Sequence, residues 1–170
     1  QWKAMLDVHN TAPFRMIRAV APYMRDVAKE EIEHGHTRTP HCIVNVSSTS
    51  GLHGNIGQAN YATAKAGICG LTRTVAKEWG SLGIRCNAVA FGYIDTRLTQ
   101  PKESGEHLVV EGNEVPLGIP THLRDVMPML IPLGRPGTVE EAAGAILLLC
   151  SPFATYITGH TLEVTGGFGI

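Results

Sequence analysis

The chain has 170 residues, 44% of them hydrophobic and 17% charged, with a formal net charge of −1. That apolar content excludes a disordered chain and suits one domain with a single core. The near-zero charge offers no electrostatic basis for binding nucleic acid or an anionic membrane surface, and no apolar run reaches the ~18 residues of a membrane span.

The chain opens at Gln1 without a Met, carries no signal-peptide pattern and reads as helix from its first residues, so it is expected to be the interior of a longer protein. Residues 2–33 place Met5, Val8, Phe14, Ile17, Ala21, Met24 and Ala28 at helical spacing. Pro13 and Pro22 interrupt that pattern, and because proline has no N–H, Pro13 should leave the His9 carbonyl without its helical donor. Residues 34–39 are polar, end at Pro40 and read as a loop. His34, His36, His41 and Cys42 crowd this region, but their spacing matches no standard ligand pattern and no metal is expected. Residues 42–46 form an apolar run, as for a strand buried on both faces of a parallel sheet.

Residues 47–58 read as a Ser- and Gly-rich loop, 60–79 as a helix with Ile68, Leu71, Val75 and Trp79 on one stripe, and 84–90 as the next strand. Strand, helix, strand in this order is a βαβ unit with a parallel pair. Residues 91–137 hold six prolines and no periodicity, and a connection of that length predicts a functional lid, at about 97–136. Thr138 and Glu141 form a capping box for a helix to about Cys150, Thr161–Val164 is a short strand, and Gly166-Gly167 a terminal bend. Cys42, Cys69, Cys86 and Cys150 each sit in an apolar pattern, which predicts reduced core thiols and a cytoplasmic protein.

Ser48, Tyr61 and Lys65 have spacings that suit proton transfer. Tyr61 and Lys65 are four residues apart and so share a helix face. An ammonium beside a phenol favours the phenolate, which moves a tyrosine toward the working range of an acid/base catalyst. Ser48, ending the strand, is placed to hold a substrate oxygen near the Tyr61 hydroxyl.

The ordered set NVSSTSG (45–51), GQANYATAKAG (57–67), RCNAVAFGYIDTRLT (85–99), LGRPGTVEEAA (133–143) and YITGHTLEVTGG (156–167) resembles the C-terminal two-thirds of a short-chain dehydrogenase/reductase, in particular the 3-oxoacyl-[acyl-carrier-protein] reductase-like members. The resemblance implies an α/β fold, the C-terminal part of a Rossmann-like doubly wound parallel sheet, with three parallel strands, flanking helices and a substrate lid in one partial catalytic domain over 1–170. It implies an NAD- or NADP-dependent oxidoreductase acting on a carbonyl, an alcohol or a 3-oxoacyl thioester. Ser48 would orient the substrate, Tyr61 act as general acid/base, and Lys65 bind the nicotinamide ribose; Gly92, Ile94 and Thr96 would line the nicotinamide. Asn87 resembles a structural asparagine. His9 stands where the family has a catalytic Asn, and its main-chain carbonyl is expected to hold a relay water, freed by Pro13. Phe91-Gly92 replaces the usual Pro-Gly, and Thr165 the usual Asp before the terminal glycines. The family's TGxxxGxG turn, which cradles the pyrophosphate, has no counterpart here, so the bare chain is not expected to hold the dinucleotide. The two long helices resemble the family's dimer helices, implying a homodimer or homotetramer; the alternative is a non-catalytic oligomerisation fragment of such an enzyme.

Overall fold

In the computed structural model, which describes residues 1–110 and 112–169, the chain begins with α1 (Trp2–Leu6), α2 (Ala12–Ala21) and α3 (Val27–Glu33), joined without a break by π-helical turns at Asp7–Thr11 and Pro22–Asp26. The prolines therefore widen the helix rather than interrupt it, because a π turn absorbs a missing donor by slipping the hydrogen-bond register by one residue. At the first turn the Ala12 N–H donates to the Asp7 carbonyl, five residues back. The Val8 carbonyl thus loses its ordinary α-helical donor, Ala12, and the His9 carbonyl loses its own, because residue 13 is proline.

Next come β1 (His41–Ser48), α4 (Thr49–His53), α5 (Ala59–Trp79) and β2 (Ile84–Phe91). β3 (His107–Val110), β4 (Asn113–Pro116), α6 (Thr121–Leu130), α7 (Val139–Cys150) and β5 (Thr161–Val164) complete the chain. β1, β2 and β5 form one parallel sheet in that order, and β3 pairs with β4 as an antiparallel hairpin. The α/β architecture with three parallel strands and flanking helices is the one expected.

Three local expectations are corrected. The segment 47–58 is not all loop: Ser47 and Ser48 finish β1, and the Ser48 hydroxyl accepts the Ser50 N–H at 3.2 Å, capping the turn of helix α4. The span 91–137 is not irregular: it holds 3₁₀ turns at Arg97–Thr99 and Lys102–Ser104, the β3–β4 hairpin and α6. Four-residue strands and a ten-residue helix carrying Pro128 are too short and too interrupted to leave a period in the sequence. Residue 111 of that expected lid lies outside the described residues. Finally, β1 is an edge strand whose residues 41–44 are half-buried rather than enclosed, and only Cys69 and Cys86 are core thiols. Cys42 is half-buried and Cys150, at the end of α7, is exposed.

The main core lies between the first helix and the sheet. Ile17, Ala21 and Ala28 meet Val75, Ala76 and Trp79 of α5, with Ile84 and Cys86 of β2 beneath. Asn87, fully buried, donates its Nδ2 to the Ile157 carbonyl at 2.8 Å and accepts the His160 N–H at 3.1 Å on its Oδ1. It stitches β2 to the loop before β5, a scaffolding role. Among the described residues no helix is long and apolar enough to cross a membrane.

Candidate active site

β1 and β2 run in register, Ser48 level with Phe91, so their C-terminal ends open on one crevice, the position where parallel α/β sheets take ligands. α5 supplies the rest of that crevice through Tyr61 and Lys65.

Lys65 is fixed from three sides by the segment 46–51. Its Nζ donates to the Val46 carbonyl at 2.9 Å, its own carbonyl accepts the Ser47 hydroxyl at 2.8 Å, and Gly51 of α4 packs on its main chain. A Cβ at residue 51 would stand 2.6 Å from the Lys65 carbonyl carbon and 2.8 Å from the Ala66 nitrogen, so only glycine allows this approach. Lys65 is 7% exposed, and burial holds its ammonium below the ordinary lysine value. Tyr61 lies one turn earlier, with the Lys65 Nζ 5.6 Å from the centre of its ring.

The first helix reaches the same place. The His9 ring stands edge-on to the Tyr61 ring, centroids 5.4 Å apart and planes at 86°. Burial first, then the Lys65 charge, holds the His9 imidazole below its usual value. Asn10 points elsewhere: its Nδ2 donates to the Ala64 carbonyl at 2.9 Å, and it packs against Gly67, where α5 has no side chain.

On the opposite wall, Gly92 continues β2 and donates its N–H to the Val164 carbonyl at 3.0 Å. A Cβ there would lie 3.1 Å from the Thr165 Cα. Ile94 bridges to Gly137, and Thr96 caps the Arg97–Thr99 turn, its N–H donating to the Thr99 hydroxyl at 2.8 Å. Ser48, Tyr61, Lys65, Gly92, Ile94 and Thr96 all line one cavity of about 530 Å³. His9 is not on that lining and meets the group through Tyr61.

A second cavity of about 480 Å³ adjoins the first, and Ser48, Tyr61, Gly92, Leu98 and Thr99 belong to both. The lid forms its far wall through Leu117, Ile119 and Met127, with Phe168 from the terminal bend. Gln58 and Asn55 line it too, and sequence reasoning missed them. The Gln58 Oε1 accepts from the Ser50 hydroxyl at 3.0 Å and the Asn55 Nδ2 at 3.1 Å, which sets the amide and leaves its Nε2 as the donor for the cavity. The signal was present in the three-residue step from Gln58 to Tyr61, but spacing alone does not say which way an amide faces. α7 likewise adds Ala142 and Ile146 to the first cavity. The histidine-rich loop forms no ligand cluster: His34 and His36 stack at 5.7 Å, and no group of three or more potential metal ligands occurs among the described residues.

The family model described as enoyl-(acyl carrier protein) reductase matches residues 1–169. The chain belongs to the short-chain dehydrogenase/reductase family. A Thermotoga maritima protein named 3-oxoacyl-[acyl-carrier-protein] reductase FabG is 37% identical over 169 residues, which cover 99% of this chain and 57% of that protein. The (3R)-3-hydroxyacyl-CoA dehydrogenase of Mus musculus is 42% identical over 125 residues, 74% of this chain and 42% of that protein. Among solved structures, a 4-hydroxyisoleucine dehydrogenase complexed with NADH and succinate superposes with a TM-score of 0.77 at 27% identity, over 99% of this chain and 58% of that one. This short-chain dehydrogenase/reductase chain thus spans a little over half the length of the relatives that it matches end to end.

Proposed function

We propose that this chain supplies the proton-transfer and substrate half of an NAD- or NADP-dependent oxidoreductase that interconverts a carbonyl and an alcohol. The observation that carries the reading is that Ser48 and Tyr61 stand where two cavities join, one lined by Lys65 and Thr96 and one under the lid. The first cavity fits a nicotinamide riboside: Lys65 and Thr96 offer polar contacts, Gly92 an open main chain, and Ile94, Leu98 and Ile146 an apolar wall. When bound there, the nicotinamide supplies a hydride to the carbonyl carbon.

The chain's own residues manage the oxygen. Ser48 donates a hydrogen bond to it, Tyr61 gives it the phenolic proton as the carbonyl becomes an alcohol, and the Lys65 ammonium stabilises the phenolate left behind. In oxidation the same steps run backwards, with Tyr61 as base. The His9 carbonyl, freed by Pro13, holds the water through which Tyr61 regains its proton.

The second cavity indicates the substrate class. None of the described side chains that line it carries a formal charge, whereas an anionic substrate group buried beside Leu98, Met127 and Phe168 would need a cationic partner. The walls suit an uncharged acyl chain, with the Gln58 Nε2 placed for a second oxygen such as a thioester carbonyl. Initial rates with NADH and NADPH test this, using a 3-oxoacyl thioester, a neutral ketone and a short oxo-dicarboxylate. Turnover of the uncharged substrates is expected; a protein that binds dinucleotide but reduces none of them contradicts the reading.

One observation favours self-association as well. A groove of about 430 Å³ runs between the first helix and α5, with Phe14 47% exposed along it beside Ile17 and Leu71. A second copy of this helix pair, as the family resemblance implies, would cover it; sedimentation of a Phe14→Glu variant as a smaller species supports this, and unchanged sedimentation refutes it.

A further inference from the structure

The side chain of His9 has no part in the relay assigned to its carbonyl, yet it is the aromatic group set against the reacting tyrosine. We propose that the neutral imidazole of His9 positions the Tyr61 phenol for proton transfer, and that protonating this imidazole disables the site. The inference rests on the function proposed above and concerns a different atom set from the main-chain relay.

Three observations converge. The His9 ring meets the Tyr61 ring edge-on at 5.4 Å and 86°, a favoured aromatic geometry. The contact is held from outside, because Asn10 anchors the same turn to α5 through the Ala64 carbonyl at 2.9 Å and seats against Gly67. His9 itself belongs to the π turn Asp7–Thr11, so the main chain that carries the ring is the one Asn10 fixes to α5.

Across the helix pair, the titratable groups facing His9 are Tyr61 and Lys65, both of α5. On its own helix, Asp7 accepts a hydrogen bond from the Thr11 hydroxyl at 3.3 Å. An imidazolium formed at this place would be a second cation beside the buried Lys65 ammonium, in a site that already disfavours charge. Like charges in a partly buried site repel, and each disfavours the charged form of the other. Either the imidazolium leaves the ring contact or Lys65 leaves Val46, and both release the phenol. As a neutral ring His9 holds Tyr61; as a cation it lets go.

The test compares His9→Phe, which keeps an aromatic edge without a titrating group, with His9→Ala, which keeps neither, in the protein that turns over substrate. His9→Ala should lower kcat by about 10- to 100-fold, the cost of a misplaced reacting group, with KM for the dinucleotide unchanged. His9→Phe should recover much of the kcat that His9→Ala loses near neutrality, as a conservative rescue, and lose the acidic limb of the pH–rate profile below 6.5, the ordinary histidine value. Profiles of wild type and His9→Phe that superimpose on the acid side would overturn the proposal. A second measurement needs no activity: the His9 ring, followed by NMR, should titrate below 6.5 and move upward in Lys65→Met. An ordinary His9 titration, indifferent to Lys65, overturns the inference even if the enzyme is active. An enzyme with no carbonyl activity but a coupled His9 titration overturns the functional reading alone.

Discussion

The Nζ of Lys65 donates to the carbonyl of Val46 at 2.9 Å, two residues before Ser48. The strand that ends in Ser48 therefore also holds the lysine, and the Ser47 hydroxyl closes the link by donating to the Lys65 carbonyl at 2.8 Å. A buried ammonium with a main-chain acceptor keeps its position without help from a neighbouring carboxylate, and Tyr61 inherits that rigidity from the same helix face.

Gly51 is the contact on which this clamp depends. In Gly51→Ala the new methyl would sit 2.6 Å from the Lys65 carbonyl carbon, so α4 must move away from α5. The expected cost is about 1–3 kcal/mol of stability, as for other overpacked sites, read as a lower urea midpoint at unchanged slope. Turnover should fall further than stability explains, because Ser48 and Lys65 shift relative to each other. An alanine variant with wild-type midpoint and activity would show that the contact relaxes freely.

Pro13 separates stability from activity in the other direction. Pro13→Ala restores a donor where the helix now has none, and relief of a proline in a helix interior is worth up to ~3 kcal/mol, less here because the π turn already accommodates it. The variant should melt higher and turn over more slowly, since the restored N–H competes for the His9 carbonyl. A faster or unchanged kcat at raised melting temperature contradicts the relay assigned to that carbonyl.

The start of α7 gives a prediction with a pH sign. Thr138 accepts the Glu141 N–H at 3.2 Å while Glu141 accepts the Thr138 N–H at 2.8 Å, and Arg135 forks onto Glu141 at 2.7 and 2.8 Å. Thr138→Ala should cost about 1 kcal/mol, the usual loss of a helix cap. The Arg135 hydrogen bonds first, then the Thr138 N–H, lower the Glu141 carboxyl to about 2. Its folded value is depressed, so its contribution is complete above the ordinary 4.5 and is lost as pH falls through about 2. The melting difference between wild type and Glu141→Gln should shrink over that window; a difference independent of pH would place the effect elsewhere.

The β1–α5–β2 unit was legible because each part leaves a distinct pattern: an apolar run at 42–46, small residues and a stripe at 60–79, and a second run at 84–90. The joining of Ser48, Tyr61 and Lys65 followed from strand end and helix face alone. The lid was not legible, since a hairpin of four-residue strands and a ten-residue helix carrying Pro128 repeat too few times to show a period. The π turns were hidden for another reason: sequence shows that Pro13 removes a donor, but only the bond from the Ala12 N–H to the Asp7 carbonyl shows how the helix responds. The edge-on contact of His9 with Tyr61 joins two helices more than fifty residues apart, which no local pattern records. Val8 and Phe14 fit the helical period and are nevertheless exposed, so the period marked a helix face without saying what covers it.

Single-turnover reduction by Tyr61→Phe, measured beside dinucleotide binding by the same protein, tests the central claim most directly. The variant keeps the ring beside His9 and Lys65 and removes the phenolic hydroxyl with its transferable proton. The chemical step should slow by about 10²- to 10⁴-fold, the range of a lost general acid, with dinucleotide binding retained. A Tyr61→Phe protein that reduces its substrate at the wild-type rate would contradict the account.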